Sequence, residues 1–311
     1  MIISASRRTD LPAFYSGWFF NRLKEGFVLV RNPGNPHRLS RIGLSPSKID
    51  GIVFWTKNPL PMLDRLSELK GFNFYFQFTL NAYGPDAEPG LPSKNDVLIP
   101  AFQRLSSLVG KERVIWRYDP IFLSKTYSIG YHARSFELLA KRLHRYTQTC
   151  TVSFLDRYLN TERNTRPLGI RPETPDEQME IMRRFSEIAF GYGLTLNTCA
   201  EQGDFRSLGA GRAKCIDKER LEMLGGVPLD VGKAAGQRPA CGCAESFDIG
   251  AYHSCPNGCL YCYANANQTA AFQNMRRHNP AAPVLLGDIG PDDCILERKT
   301  ISHQTGQTSL F

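Results

Sequence analysis

Short apolar runs that end in polar residues recur along the chain and predict a series of buried β-strands. The runs are rich in β-branched and aromatic residues, which favour strands. Turn-forming or charged residues close each run. The eight predicted strands cover residues 2–6, 27–31, 51–57, 72–80, 113–118, 150–155, 194–199 and 247–252.

Amphipathic helical patterns lie between most of these strands. Apolar residues three and four apart predict helices over residues 13–25, 96–109, 127–146 and 175–191. Thr174 is the predicted N-cap of the last helix, which carries acidic residues in its first turn. Residues 33–46 lack either pattern and are interpreted as a loop or hairpin.

Strand and helix alternate along the chain, which predicts an α/β fold. A parallel sheet closed into a TIM-like (β/α) barrel is the favoured arrangement, and an open doubly wound sheet is the alternative. The barrel is expected to span residues 1–277 and to include a cysteine-rich loop at 241–265. Residues 278–311 are interpreted as a C-terminal extension whose last ten residues form a flexible tail.

Composition and charge narrow the class of protein. The 311 residues are 42% hydrophobic and 22% charged, which is typical of soluble globular proteins. No apolar run has the length of a membrane span and no secretory signal is evident, so the cytoplasm is the expected compartment. A net charge of +8 permits contact with a polyanion such as DNA.

Charged side chains follow several predicted strands. In a parallel barrel, chemistry collects at the C-terminal strand ends. Arg7, Arg8 and Asp10 follow the first strand, and Arg117 and Asp119 follow another. Guanidinium groups there would suit a carboxylate or phosphate, and aspartates would pair with them or act as acids and bases. Asp10, Arg117 and Asp119 are the candidate catalytic residues, and a solvated turn is the alternative for each.

Cysteine spacing is the strongest chemical signal. Nine cysteines without a secretory signal favour metal ligands or reactive thiols over disulfides. Cys255, Cys259 and Cys262 have the spacing C-x3-C-x2-C. Three such thiolates can each bind one iron of a [4Fe-4S] cluster and leave the fourth iron open. Zinc is the alternative, although structural zinc usually has four ligands.

Four other cysteines are candidates for a second metal site. Cys199 ends a predicted strand, Cys215 lies in the following loop region, and Cys241 and Cys243 form C-x-C before the last strand. On one face of a barrel they could hold a second cluster or a zinc ion. The alternative is that some of them are small buried apolar residues.

The stretch CPNGCLYCYAN resembles the signature of radical S-adenosylmethionine enzymes, in a form similar to that of spore photoproduct lyase, a DNA-repair enzyme. The resemblance implies that the open iron binds S-adenosylmethionine. It also implies that one electron cleaves this cofactor and that the resulting 5′-deoxyadenosyl radical abstracts a hydrogen atom from a substrate. Tyr261 would then lie against the adenine. A reductant such as flavodoxin or ferredoxin would supply the electron.

Nearly the whole chain also resembles domain-of-unknown-function family 1848, through SRRTD, VRNP, FWTKNP, RYDP, CID, CGC and DIGAYHSCPNGCLYCYAN. That family implies no activity. In most radical enzymes the cysteine loop follows the first strand, whereas here it follows the last. The barrel is therefore interpreted as circularly permuted, which would bring Arg7 and Arg8 beside the cofactor. The Gly-Gly-Glu segment that holds the cofactor's amino group in the superfamily is not evident.

The chain ends in QTSLF, from Gln307 to Phe311, which resembles the peptide that docks bacterial repair proteins on the sliding clamp. The favoured function is a radical S-adenosylmethionine-like enzyme with nucleic acid as its substrate, as in DNA repair. One alternative is a non-catalytic iron–sulfur or zinc protein that binds nucleic acid or transfers electrons. Another is an enzyme that acts on a small phosphorylated or carboxylated molecule.

Overall fold

A computed structural model describes residues 1–306 and contains an eight-stranded parallel sheet. Every pairing in this sheet is parallel. In the order in which they pair, the strands are β10 (Phe247–Asp248), β1 (Ile2–Ala5), β4 (Gly51–Thr56), β5 (Phe74–Thr79), β6 (Val114–Ile121), β7 (Thr149–Phe154), β8 (Thr195–Thr198) and β9 (Gly211–Arg212).

The strand order runs in one direction from β1 to β9, so strands that follow each other in the main sheet are neighbours. An open doubly wound sheet reverses its order at a switch point, and the described sheet has no such reversal. Within residues 1–306 the end strands β10 and β9 are not paired with each other. The predicted α/β fold with a large parallel sheet is confirmed, whereas barrel closure and circular permutation are not shown.

A second sheet of three strands contains β2 (Phe27–Asn32), β3 (Asn35–Gly43) and β11 (Cys294–Glu297). The prediction that residues 27–31 belong to the alternating series was wrong. Only a short turn separates β2 from β3, and strands joined in this way pair as an antiparallel hairpin. The unpredicted strand β9 takes the eighth place in the parallel sheet.

Nine helices of the α type connect the strands in the described part of the chain. They are α1 (Leu11–Phe14), α2 (Ser16–Glu25), α3 (Leu60–Leu63), α4 (Ile99–Val109), α5 (Ile129–Leu143), α6 (Leu159–Thr165), α7 (Pro175–Gly191), α8 (Lys218–Gly225) and α9 (Gln268–Arg277). Thr174 caps α7 as predicted, because its hydroxyl accepts from the Glu177 amide at 3.2 Å. None of these helices has the length and apolar character needed to cross a bilayer.

The two faces of the parallel sheet are covered by different parts of the chain. Alternate side chains such as Ile52 and Phe54 pack in the main core with residues of α2, α4, α5 and α7. Val53 and Tyr75 point to the other face and pack against Cys199, Cys215, Cys241 and Cys243. The face away from the main core therefore carries four of the predicted metal ligands.

The C-terminal extension packs against the rest of the molecule. Strand β11 pairs with β3, and the Asp50 carboxylate accepts from the Ser302 hydroxyl at 2.6 Å and the His303 amide at 2.9 Å. The Thr305 amide donates to Pro228 at 3.1 Å. These hydrogen bonds involve residues 302–305, which belong to the ten-residue segment predicted to be a flexible tail. The predicted clamp-docking segment, residues 307–311, lies outside the described residues.

Candidate functional site

A cavity of about 550 Å³ opens at the C-terminal end of the parallel sheet. Its wall includes all the site residues singled out in the sequence: Arg7, Arg8, Asp10, Arg117, Asp119, Cys199, Cys215, Cys241, Cys243, Cys255, Cys259, Tyr261 and Cys262. A smaller cavity of about 310 Å³ lies beside the N-terminal strand ends, near Asp50, Asn73 and Arg113, and no cysteine lines it.

The pairing of β10 with β1 brings two distant segments together at this cavity. Ser4 lies opposite Asp248, so the residues after β1 meet the cysteine loop after β10. The Asp248 carboxylate fixes this junction, because it accepts from the Ser4 hydroxyl at 2.7 Å and the Arg7 amide at 2.8 Å. The register therefore places Arg7, Arg8 and Asp10 beside the thiols.

A second loop, residues 84–91, holds the cysteine loop in place. The Gly90 amide donates to the Asn257 carbonyl at 2.9 Å, and the Leu260 amide donates to the Ala87 carbonyl at 3.0 Å. A Cβ atom at Gly90 would lie 2.5 Å from the Asn257 carbonyl oxygen, so this close approach requires glycine. The loop that carries Cys255, Cys259 and Cys262 is thus anchored by backbone hydrogen bonds.

The three thiols of this loop are buried in surroundings that disfavour their charged forms. Burial raises the pKa of Cys255 and Cys262, and it raises the pKa of Cys259 to about 12. The neighbouring thiols and Asp10 add to the effect on Cys255, whereas Lys57 opposes it at Cys259. Thiolates at these positions therefore need a cation to balance their charge.

A buried polar network surrounds the hydroxyl of Tyr261. Lys57 Nζ donates to this hydroxyl at 2.9 Å and to Glu88 Oε1 at 2.7 Å. The tyrosine hydroxyl donates to Glu88, and Asn81 Nδ2 donates to the hydroxyl at 3.1 Å. Burial opposes ionisation of Glu88, but Lys57 and Lys94 together hold its pKa below the usual value. The ring of Tyr261 packs against the protein's own Tyr83 and Phe122.

Sequence reasoning missed Glu88 and did not assign Lys57. Lys57 follows a strand and was visible as a polar strand end, but Glu88 lies in a loop rich in glycine and proline. Its side chain is buried by the packing of this loop against the cysteine loop, which no local pattern reveals.

Arg117 and Asp119 form an ion pair in the cavity wall. Arg117 Nη2 lies 2.6 Å from Asp119 Oδ2, and Arg117 Nη1 lies 3.0 Å from the Cys215 sulfur. Burial opposes ionisation of Asp119, but Arg117 and the Ser153 hydroxyl hold its pKa below the usual value. Asp119 is therefore a paired carboxylate in this structure.

Asp10 has a different environment from Asp119. Its carboxylate caps α1 through the Ala13 amide at 3.0 Å and accepts from the Lys57 amide at 2.7 Å. Burial raises the pKa of Asp10 to about 6, although these hydrogen bonds oppose the shift. Of the two candidate catalytic aspartates, Asp10 is thus the one whose pKa is raised and Asp119 the one whose pKa is lowered.

Arginine and aromatic side chains line the cavity near its mouth. The Arg7 guanidinium lies 5.8 Å from the Trp55 ring centre, and that of Arg8 lies 5.1 Å from the Tyr252 ring centre. Tyr252 and Tyr263 are exposed. Arginine stacked on aromatic rings is an arrangement that suits anionic and aromatic ligands.

The four cysteines of the second group also come together. The sulfur atoms of Cys199 and Cys215 are 3.1 Å apart, and the Ile216 amide donates to the Cys243 sulfur at 3.5 Å. Contact with the Cys215 thiol lowers the pKa of Cys243, and Cys241 lies next to Cys243. As they stand, no three His, Cys, Asp or Glu side chains in residues 1–306 have an arrangement that could hold a metal ion.

The family profile described as "Domain of unknown function (DUF1848)" matches residues 2–264. The chain belongs to this family. No curated protein matches the DUF1848 chain. Among solved structures, a crystal structure of a candidate alpha-L-fucosidase from Bacteroides thetaiotaomicron VPI-5482 matches it with 13% identity and a TM-score of 0.25. That match covers 75% of this chain and 85% of the other. A TM-score this low supports no inference about fold or function.

Proposed function

We propose that this DUF1848 protein is an iron–sulfur enzyme of the radical S-adenosylmethionine type. One observation carries the proposal. The three cysteines of the C-x3-C-x2-C loop line the same cavity as Arg7, Arg8 and the Arg117–Asp119 pair. Ligands for a cluster and charged groups for a substrate thus share one space, which is what a catalytic site requires and a buried structural site does not.

The donor set fits a [4Fe-4S] cluster. Cys255, Cys259 and Cys262 would each bind one iron, because three soft thiolates on an anchored loop match this cluster's preference. The pKa values of their thiols, raised by burial, are those of groups that need a cationic partner to ionise. When bound, the cluster would supply the electron that makes a hydrogen-abstracting radical from S-adenosylmethionine.

The residues of the cavity wall would bind and orient the substrate and the cofactor. Lys57 and Glu88 hold the Tyr261 hydroxyl and thereby fix the ring that precedes the last cysteine. Arg7 and Arg8 would bind a carboxylate or phosphate near the loop, as guanidinium groups do. Asp10, with its pKa raised to about 6, would exchange a proton near neutral pH.

Nucleic acid is the substrate class that we favour. The protein carries a net charge of +8, and the cavity offers arginines together with Trp55, Tyr252 and Tyr263. Stacking aromatics combined with arginine suit an exposed or flipped base and its phosphates. The arrangement supports a repair-like role, with a flavodoxin- or ferredoxin-type reductant and a sliding clamp as the proposed partners.

A circularly permuted barrel is the finer form of the fold that we propose. The one-directional strand order and the place of β10 beside β1 support it. In such a barrel the cysteine loop and β1 would lie side by side. The strands would have the same neighbours as in a radical S-adenosylmethionine enzyme, but the chain would start at a different strand.

The proposal is tested by anaerobic reconstitution with iron and sulfide, reduction, and addition of S-adenosylmethionine. We expect 5′-deoxyadenosine, detected by mass spectrometry, from the wild type and from the matched control Cys294→Ser, since Cys294 is exposed and away from the cavity. The Cys255→Ala/Cys259→Ala/Cys262→Ala variant should give none. The non-catalytic alternative would be favoured if the protein binds iron and this iron can be reduced, but S-adenosylmethionine is not cleaved with or without damaged DNA.

A further inference from the structure

We propose that Cys199, Cys215, Cys241 and Cys243 form a second metal site, which holds one zinc ion by four thiolates. This site is independent of the proposed radical chemistry. The four residues are called the four-thiol group below.

Two sulfur atoms of this group are already in contact, and all four residues line the same cavity. The sulfurs of Cys199 and Cys215 are 3.1 Å apart, and the amide of Ile216, the residue after Cys215, donates to the Cys243 sulfur at 3.5 Å. With Zn–S bonds of about 2.3 Å, the sulfurs of a tetrahedral site lie roughly 3.8 Å from each other. Small rotations that separate Cys199 from Cys215 by roughly 0.7 Å would reach that spacing.

The same distance argues against a second four-iron cluster. Each thiolate of such a cluster binds a different iron, so its sulfurs are farther apart than those around a single ion. A pair of sulfurs already in contact at 3.1 Å suits a single ion and would have to move much farther for a cluster. Four thiolates without an open position are also the usual ligand set of structural zinc.

Three chain segments are fixed so that the four thiols converge. The Cys199 amide donates to Val152 at 2.8 Å, which continues the sheet beyond β8. The Cys215 carbonyl accepts from the Tyr75 hydroxyl at 2.7 Å and from Gln77 Nε2 at 3.1 Å. The Ala244 amide donates to Ile216 at 3.0 Å and joins the C-x-C segment to the Cys215 segment. Core packing alone would not require four cysteines at this junction.

The surroundings suit the charge of a four-thiolate zinc site. One divalent ion with four thiolates carries a net charge of −2, and Arg117 offers its guanidinium 3.0 Å from the Cys215 sulfur. The Ile216 amide donates to the Cys243 sulfur at 3.5 Å. Hydrogen bonds and cations around the ligands tune and orient metal sites in this way.

The experiment uses the full chain with Cys255→Ala, Cys259→Ala and Cys262→Ala. The four-thiol group then supplies all the thiols that remain on the cavity wall. We expect about one zinc per chain by mass spectrometry and the absorption spectrum of a tetrahedral four-thiolate site after cobalt replacement. Adding Cys215→Ser and Cys243→Ser should abolish both signals. Cys150→Ala, in the buried sheet core outside the cavity, is the control and should keep both.

Zinc-edge X-ray absorption of the wild-type protein tests the site without relying on variants that could fail to fold. It should show four sulfur ligands at about 2.3 Å from the zinc. Iron with sulfide in the four-thiol group, a Cys199–Cys215 disulfide in anaerobically purified protein, or no thiolate-bound metal would each overturn the proposal. Failure of S-adenosylmethionine cleavage would leave these readouts unchanged, so the two proposals fail separately.

Discussion

The two groups of thiols on the cavity wall differ in how the chain assembles them. Cys255, Cys259 and Cys262 lie within eight residues on one loop. The four-thiol group comes from the end of β8, the segment after β9 and the C-x-C before β10. A local loop can be recognised from spacing alone, whereas a group gathered by sheet topology can be proposed from the sequence only by assuming a fold.

The two groups also differ in their charged neighbours. The loop of three thiols lies near Lys57, which is shared with Glu88 and Tyr261. The four-thiol group has Arg117, which contacts a sulfur directly and pairs with Asp119. Three thiols would leave one iron of a bound cluster open, whereas four thiols would fill every position of a tetrahedral ion. We therefore propose a reactive role for the first group and a structural role for the second.

The largest expected effect separates the groups by their metal. Cys255→Ala/Cys259→Ala/Cys262→Ala should remove iron and sulfide completely and leave zinc in place, because the ligand sets share no residue. Cys199→Ser/Cys215→Ser should do the reverse. Metal and sulfide analysis of both variants is the measurement. Loss of iron and zinc together in both would mean that the thiols form one connected site.

The next effect tests the network behind the first group. Glu88→Gln would leave Lys57 and Lys94 without their buried carboxylate, so the free energy of unfolding should fall by about 3–5 kcal/mol. Glu68→Gln, which removes an exposed partner of Arg65, is the control and should change it by less than about 0.5 kcal/mol. Denaturant unfolding measures both. A small change for Glu88→Gln would show that the network is not buried in solution.

A third difference should appear in the metal-free, reduced protein. Contact with Cys215 lowers the pKa of Cys243, whereas burial raises that of Cys259 to about 12. The thiolate fraction of Cys243 should therefore rise at lower pH than that of Cys259, which should still be rising at pH 10. Cys243 should be alkylated faster than Cys259 at pH 8, because its larger thiolate fraction outweighs the weaker nucleophilicity of a thiolate with a lower pKa.

Peptide mapping of the alkylated protein from pH 6 to pH 10 measures both rates. Cys243 is 2% exposed and Cys259 is 6% exposed, so access alone would favour Cys259. Faster alkylation of Cys259 would contradict the assigned environments.

The smallest expected effect concerns Arg117. Arg117→Gln removes a cation and a donor next to the Cys215 sulfur and should weaken zinc binding about 10- to 100-fold. Iron retention by the first group should not change. Arg104→Gln on the surface of α4 is the matched control. Competition with a zinc chelator measures the zinc affinities. An unchanged zinc affinity for Arg117→Gln would show that Arg117 does not contribute to the zinc site.

The sequence predicted much of this molecule because its signals are local. Helix α7 begins and ends where its cap and periodicity place it, and seven of the predicted strands lie in the parallel sheet. Strand β2 was misplaced because a hairpin and a parallel strand have the same composition. The predicted strand over residues 247–252 shortened to Phe247–Asp248, since Asp248 turns the chain by accepting from Gly250.

In the candidate site, too, the local features could be predicted from the sequence and the features that depend on long-range packing could not. The spacing of Cys255, Cys259 and Cys262 is local, and its position on the cavity wall could be anticipated. Glu88 could not, because its burial depends on how two loops pack. The contact between Cys199 and Cys215 depends on β8 and on the segment that covers the sheet, and no pattern along the chain encodes it.

The central claim, one iron–sulfur group and one zinc group on a single cavity, is tested most directly by counting metals in wild-type protein purified without oxygen. We expect about four iron, about four sulfide and about one zinc per chain, with zinc-edge X-ray absorption showing sulfur ligands only. About eight iron and eight sulfide without zinc, or zinc alone with no iron after reconstitution, would contradict the account.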